Sequence, residues 1–529
     1  MGGCLEKLDL RTKALLLFVL SLTLLLLNLD KPMIYILDEA KNAECAREML
    51  VSGDYVVPYF NGQIRTDKPP LHYFFMVWAY KMFGVSAFSA RFFSAVFGAL
   101  TILISFLFCK KFLNEKAACL TALVLLSSLH FNFQMRMSVP DPYLIFFMTG
   151  SFMCFYTFLV EKKKLWLWLM YACFGLGLLT KGPIALALPG LIMLVFLIIS
   201  RRFSWSLVWS FQIPAGLLIM ILIALPWYWM NYEATNGVWT EGFFLKHNLK
   251  RYSDTMEGHG GFFLLPLIMV IIGLLPLGVF CIQSMFFAWK HRAKEALLFC
   301  LCIVLGIIFF FSFSQTKLPN YTAPAYPFIA ILIAYLLSAF EEMNVSLNKV
   351  KWAFVFYLII AFFIPGAVYF GISADLNVQS SAGVWVYFIP VPVGAILAWY
   401  FISRGEINRF ILSIGLSFIL CNFLFFAKAY PEVYGINPVA GSLDMIKDKP
   451  DLVYYKMMNS AYIFNMQRLI PAIQSQDSLS VYLKSHPDAV VISRKQYESE
   501  IQVAGDMMPV FEQKDTFENP TTIIYELRR

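Results

Sequence analysis

Apolar residues fall along the chain in runs close to the roughly 20 residues that an α-helix needs to cross the hydrocarbon of a bilayer. The runs are Ala14–Leu29, Phe92–Phe108, Ala117–Phe131, Pro140–Val160, Leu165–Leu179, Ile184–Ser200, Leu207–Met230, Phe263–Phe287, Ala296–Phe313, Thr322–Phe340, Trp352–Ile372, Val384–Ile402 and Phe410–Ala427. They predict about thirteen spans. The first run follows Lys7, Arg11 and Lys13, as a signal peptide would. No small-residue cleavage site comes after it, however, so it reads as an uncleaved span. Two connections, 37–90 and 231–262, are too long to be turns. In the first, Asp38–Val51 predicts a helix with Asp38 as N-cap and Gly53 just past its end. The aromatic stretch Leu71–Phe83 predicts a second helix at the headgroup boundary. From about Lys428 the pattern changes to short strand-like runs (Asp451–Tyr455, Ala489–Ser493, Thr521–Tyr525) and polar helical stretches near Ser478–Ser485 and Arg494–Val503. That mixture predicts a small α/β domain over 428–529, attached to a membrane domain over 1–427.

Composition agrees with the pattern. Of 529 residues, 59% are hydrophobic and 14% are charged, against roughly 25% charged in soluble proteins. A large soluble enzyme, a disordered chain and a fibrous protein are excluded. The net charge of +8 is informative through its placement. With the N-terminus inside, alternate short loops collect the basic residues: Lys110, Lys111 and Lys116, Lys162 to Lys164, Arg201 and Arg202, Lys290, Arg292 and Lys294, Lys349 and Lys351, Arg404 and Arg409. This is the positive-inside bias, and it puts the tail outside. The ten cysteines form neither a disulfide framework nor a zinc spacing. No basic-aromatic tract points to nucleic acid.

Polar groups with chemical potential cluster at the outer ends of the spans. Asp38-Glu39 opens the first long loop, and Arg65-Thr66-Asp67-Lys68-Pro69-Pro70 closes it. Asp141 precedes Pro142, Lys181 precedes Gly182-Pro183, and Lys317-Leu318-Pro319-Asn320-Tyr321 lies further on. His247, Arg251 and His259 lie in the second long loop. Charges beside hydrocarbon are costly and usually have a task. Each also has a plainer reading: Asp38 and Asp141 as helix starts, Lys68 reaching for headgroups, Lys181 at a break between spans, a loop histidine merely solvated. Carboxylates and cations gathered on one membrane face suit a phosphate-bearing, lipid-soluble substrate.

The stretch Asp38-Glu39-Ala40, Ala46-Arg47-Glu48-Met49, Gly53-Asp54-Tyr55-Val56-Val57-Pro58, Asn61-Gly62, Asp67-Lys68-Pro69-Pro70-Leu71 resembles the first periplasmic loop of the bacterial aminoarabinose transferases and their protein-mannosyltransferase relatives, the GT-C glycosyltransferases. Arg91-Phe92-Phe93-Ser94 is similar to that family's Arg-Leu-Pro-Ser, with two departures. Thr180-Lys181-Gly182-Pro183, Arg251-Tyr252 and Lys317-Leu318-Pro319-Asn320-Tyr321 follow in order. The resemblance implies a polytopic GT-C fold in a bacterial inner membrane. It also implies transfer of a sugar from a polyprenyl phosphate to an acceptor on the outer face. The acceptor is a lipid A phosphate in one branch and a protein hydroxyl in the other. It implies membrane lipids as neighbours and no nucleotide cofactor.

On that chemistry, Lys68 and Arg251 stabilise the departing phosphate, helped by Tyr321, with Arg65 and Lys317 as further cations. Asp38 is the first candidate base, with Asp141 and Glu39 after it. A phosphate acceptor would need no strong base. The aminoarabinose branch also implies a zinc pair. Here Asp67 stands where that branch has Glu, and the histidine register is displaced, with Lys246 at the ligand position, His247 beside it and His259 further on. Two protein donors make an incomplete zinc site. A transporter is the alternative class, disfavoured by nearly uncharged spans and the lack of a visible repeat. A scaffold whose outer domain binds envelope partners is a third.

Overall fold

The structure is a computed structural model that describes residues 8–249, 260–342 and 350–528. Each of the thirteen apolar runs is mostly helical, with breaks such as Ser128, Phe211-Gln212 and Leu274–Pro276 inside three of them. Eight described helices are long and apolar enough to cross a membrane, among them Ala87–Phe112, Asp141–Glu161, Glu295–Phe313 and Lys351–Ala374. Others are shorter or interrupted. Pro276, which lacks an N–H, separates Leu265–Gly273 from the turn Leu277–Phe280 and the helix Cys281–Lys290. The chain is thus a multi-pass helical membrane protein with a small mixed sheet near its C-terminal end.

Backbone carbonyls freed at helix ends inside such a bundle need donors. Arg136 supplies them for the first helix, Leu10–Leu26, donating to the carbonyls of Leu24 (3.0 Å), Leu25 (2.9 Å) and Leu27. Its guanidinium lies 4.0 Å from the centre of the Phe426 ring, which ties the first helix to the end of the last apolar run.

The first loop folds into two helices and a hairpin. Its first helix spans Leu37–Ser52 and ends at Gly53, whose φ of 72° lets its N–H reach the Met49 carbonyl. The N-cap is Ile36, not Asp38, and no side chain caps it. Asp38 instead sits in the first turn, where the helix dipole favours a carboxylate. Two short antiparallel strands follow, β1 (Tyr59–Phe60) and β2 (Gln63–Ile64). Asn61 and Gly62 form the tip with φ of 52° and 72°, the left-handed pair that a two-residue hairpin loop demands. The Glu48 carboxylate accepts both tip amides, at 2.5 and 3.0 Å. The second helix, Leu71–Phe83, begins after the Pro pair and ends at Gly84.

The C-terminal sheet contains β3 (Leu452–Tyr455), β4 (Ala472–Ile473), β5 (Val490–Arg494), β6 (Met507–Lys514) and β7 (Thr521–Leu527), in the order β4-β3-β5-β7-β6. β4, β3 and β5 run parallel, while β7 runs antiparallel to both of its neighbours, β5 and β6. Alternating residues face opposite ways. Val453, Val491, Ile523 and Tyr525 pack against Leu479, Leu483 and Ile501 of the helices Gln476–Ser485 and Glu498–Ala504. On the other face Leu452, Val490, Ile492 and Ile524 share a core with Ile34, Ala40, Ala43, Met49, Tyr73, Met76 and Tyr80. The first loop therefore covers the second face of the sheet, and neither is a free-standing unit.

On the first-loop helix, Glu44 is wholly buried and accepts two bonds from Arg47, at 2.8 and 2.6 Å. Burial outweighs that pair and pushes the Glu44 carboxyl from its ordinary 4.5 up to about 7. The folded protein then holds this proton more tightly than the unfolded chain, so stability drains away as pH rises from 4.5 through about 7. Thermal unfolding of purified protein at several pH values should show this slope in the wild type. The slope should be reduced in Glu44→Gln, whereas identical slopes would refute the assignment.

Candidate active site

Adjacent residues on a helix point about 100° apart, so Asp38 and Glu39 cannot serve one site. Glu39 turns inward and is fully buried. Arg91 grips both of its oxygens at 2.7 Å, and the Ser138 amide adds a third bond at 3.0 Å. The same guanidinium donates to the carbonyls of Leu29 (2.8 Å) and Pro32 (2.6 Å). Glu39 was a candidate base; the structure places it in this pair, with three hydrogen bonds to its two oxygens. Asp38 turns outward, its side chain 57% exposed, with one oxygen 3.9 Å from Arg65 Nη2 and the other 3.9 Å from Lys68 Nζ.

Lys68 is buried and leads from this carboxylate into a cavity of about 150 Å³. Asp67, Lys68, Lys181, Asn320 and Tyr321 line its polar part, while Leu144, Met148, Ile184, Leu188 and Phe311 line the rest. Lys181, at the end of the helix Lys164–Lys181, donates to Asp141 at 2.7 Å, and its ammonium lies 5.4 Å from the centre of the Tyr321 ring. Asn320 donates to the same Asp141 oxygen at 3.3 Å. The buried Asp141 at the start of its helix therefore orients a lysine and an amide from two other segments. One glycine makes this packing possible. Gly182 has φ of +74°, and a Cβ there would lie 2.6 Å from Phe243. That approach lays Phe243 against the lysine's helix end.

Other candidates are placed differently. Arg65 donates to Asp67 at 3.1 Å and holds that carboxylate on the rim of the cavity. Lys317 does not line the cavity; its ammonium donates to the Ser314 carbonyl at 2.6 Å. Arg251 and His259, and the side chain of His247, lie outside the described residues. Among the described residues no three His, Cys, Asp or Glu side chains come together as a metal-binding group. They supply Asp67 alone for the expected zinc pair, and Asp67 is engaged by Arg65. The donor set described does not fit zinc, which takes three or four protein ligands. Beside the cavity, burial first and then the charges of Arg65 and Lys68 keep the His72 imidazole neutral, well below its ordinary 6.5.

Lys181 and Asn320 carry more of the site than their sequence context suggests. A lysine before Gly-Pro has the look of a helix stop, and its tertiary partners, Asp141 and Tyr321, are 40 and 140 positions away. The usable signal was its recurrence with Asp141 and Tyr321 on one membrane face.

Comparison with known proteins gives a consistent picture. The family described as dolichyl-phosphate-mannose-protein mannosyltransferase matches residues 15–240. An uncharacterised Aquifex aeolicus protein is 30% identical over 368 residues, covering 69% of this chain and 71% of that protein. The undecaprenyl phosphate-alpha-4-amino-4-deoxy-L-arabinose arabinosyl transferase of Yersinia enterocolitica is 29% identical over 336 residues, covering 62% of this chain and 60% of that enzyme. The match thus spans less than two thirds of the Yersinia enzyme. In fold, the chain superposes on ArnT from Cupriavidus metallidurans, crystallised with undecaprenyl phosphate, with a TM-score of 0.80, 21% identity and 98% of each chain covered.

Removing one partner of a buried, hydrogen-bonded ion pair leaves an uncompensated charge and costs about 3–5 kcal/mol. Arg91→Ala should lower the stability of the detergent-solubilised protein by about that amount. The double variant Arg91→Ala with Glu39→Ala should recover part of the loss. Denaturation followed by tryptophan fluorescence measures both, and an Arg91→Ala protein as stable as wild type would remove the pair from its structural role.

Proposed function

This chain belongs to the GT-C glycosyltransferase family of the aminoarabinose transferases and protein mannosyltransferases, and from that premise we propose that it transfers a sugar from a polyprenyl-phosphate donor to an envelope acceptor, lipid A or a related lipid first. One observation carries the reading. A single cavity joins two buried or half-buried lysines, Lys68 and Lys181, to an apolar lining, and the exposed carboxylate of Asp38 stands beside Lys68. A lipid-linked phosphate has that same division between anion and hydrocarbon.

The chemistry follows from the charges. The bond between the anomeric carbon and the phosphate oxygen breaks, and its electron pair leaves with the phosphate. Lys68 and Lys181 meet the growing negative charge with charge-assisted hydrogen bonds, aided by the Tyr321 hydroxyl. Asp141 and Asn320 hold the lysine end of this arrangement in place. An acceptor oxygen forms the new bond to the anomeric carbon. If that oxygen belongs to a hydroxyl, Asp38 takes its proton. If it belongs to a phosphate, Asp38 has no proton to remove and orients the acceptor or stabilises positive charge at the anomeric carbon. Arg65, with Nη2 3.9 Å from an Asp38 oxygen, is the second cation beside that carboxylate. Arg251 joins the phosphate ligands on the strength of the sequence motif. The site faces the periplasm of a bacterial inner membrane, with the N-terminus in the cytoplasm and the tail, residues 428–529, outside. Transfer to a protein hydroxyl is the second acceptor class.

Purified protein given polyprenyl-phosphate sugars should release polyprenyl phosphate. Lys68→Ala and Asp38→Asn should each reduce that release by about 100-fold or more. Normal turnover in both variants would defeat the site. A membrane-impermeant maleimide should label a cysteine introduced at Ser485 from the periplasm of intact cells, and one at Lys163 only after permeabilisation. The reverse pattern would invert the orientation.

A further inference from the structure

No residue beyond Pro324 lines the cavity among the described residues. Yet the C-terminal domain holds the first loop on both sides of the Asp38–Lys68 pair. Ahead of Asp38, the Asn465 amide donates to the Ile34 carbonyl at 2.8 Å. The Thr516 amide donates to the Tyr35 hydroxyl at 3.2 Å. Thr516 follows Asp515, which is fully buried and fixed by Arg494 (2.7 Å), Thr522 (2.6 Å) and Asn459 (3.1 Å), so this grip is anchored in the sheet. Behind Asp38 and ahead of Lys68, the hairpin tip is held in the same way. Asn61 donates from its side-chain amide to the Ile470 carbonyl at 2.8 Å and accepts the Ile470 amide at 2.9 Å. These two bonds imitate strand pairing next to β4, the edge strand at that side of the sheet. The Glu48 carboxylate, on the Asp38 helix, fixes the same tip from beneath.

We infer that the C-terminal domain is a positioning element for sugar transfer, which sets the separation of Asp38 and Lys68 by gripping Ile34 and Tyr35 on one side and Asn61 on the other. The inference rests on the proposed function for its catalytic consequence, and on the described contacts for the grip itself. Asp38 and Lys68 belong to different arms of the first loop, and their 3.9 Å separation is longer than a direct hydrogen bond. Their spacing therefore depends on how the two arms are held. Asn61 is the informative residue because its side chain alone makes the bonds to Ile470. Glycine keeps the left-handed backbone and the amides that Glu48 accepts, and removes only the grip.

The test uses the full chain with Asn61→Gly, and Asn465→Ala for the other grip. Amide exchange should accelerate by about tenfold or more over 59–70 in the first variant and 34–42 in the second, while strand β5 and the spans exchange as in wild type. The melting temperature should stay near the wild-type value. In polyprenyl phosphate release, kcat should fall about tenfold in each variant with the donor KM within about twofold, since cavity contacts remain. Unchanged local exchange, or exchange that rises evenly through sheet and spans, overturns the grip. Faster local exchange with full kcat overturns the positioning role. An inactive wild type would instead defeat the proposed function, and the exchange measurement would still decide the grip.

Discussion

The buried pair of Glu39 and Arg91 is the interaction on which the site depends. A carboxylate and a guanidinium at the edge of hydrocarbon stay charged only if each meets the other and every remaining polar atom is served. Here Arg91 serves Glu39 and the carbonyls that follow the first helix, and the Ser138 amide completes the carboxylate. Four segments are thereby locked together: the end of the first span, the first-loop helix, the Arg91 helix Ala87–Phe112 and the 138–141 turn that begins the Asp141 helix. Because Glu39 is fixed inward, its neighbour Asp38 has to face Arg65 and Lys68. An acidic dipeptide is divided by helix geometry into one residue buried in an ion pair with Arg91 and one turned toward Arg65 and Lys68.

Electrostatic balance is the second constraint. The cavity gathers two lysines close to Asp38, Asp67 and Asp141. Each cation has an anionic neighbour in the protein, so the site is not a bare positive hole that would be costly to keep in a low-dielectric boundary. A phosphate entering such a site competes with carboxylates already there.

Much of this was legible along the chain. The apolar runs are mostly helical, and the first-loop helix end at Gly53 and the helix Leu71–Phe83 lie where turn chemistry and periodicity put them. Asp38 and Lys68 do converge. What local reasoning could not see was partnership at a distance. Asp38 looked like an N-cap because Asp commonly caps helices, but Ile36 takes that position and leaves Asp38 for tertiary partners. Glu39 looked catalytic beside it, since nothing nearby in sequence names Arg91 as its counter-ion. Lys181 could be read as a break between spans and Lys317 as a phosphate ligand; in the structure Lys181 lines the cavity and pairs with Asp141, while Lys317 donates to the Ser314 carbonyl. In the C-terminal domain, strand β6 was not among the strand-like runs, and it carries Pro509. A proline cannot donate to a ladder, yet β6 is an edge strand with an irregularity between Pro509 and Phe511, where proline is tolerated.

The sheet's two faces explain why a polar domain is joined to a membrane enzyme of this kind. One face is covered by the domain's own helices, and the other is left to the first loop. A small α/β unit with an uncovered apolar face is unstable in water, and a loop of two short helices has too little core to fold alone. Each supplies what the other lacks. The sheet and the first loop share one core, and the Glu39–Arg91 pair ties that loop to the span Ala87–Phe112. Bulk hydrophobic burial thus fixes the loop, and the loop places the charges. That order follows from magnitude, because the apolar contact is spread over many residues while Asp38 and Lys68 face each other at a distance where attraction alone could not hold them.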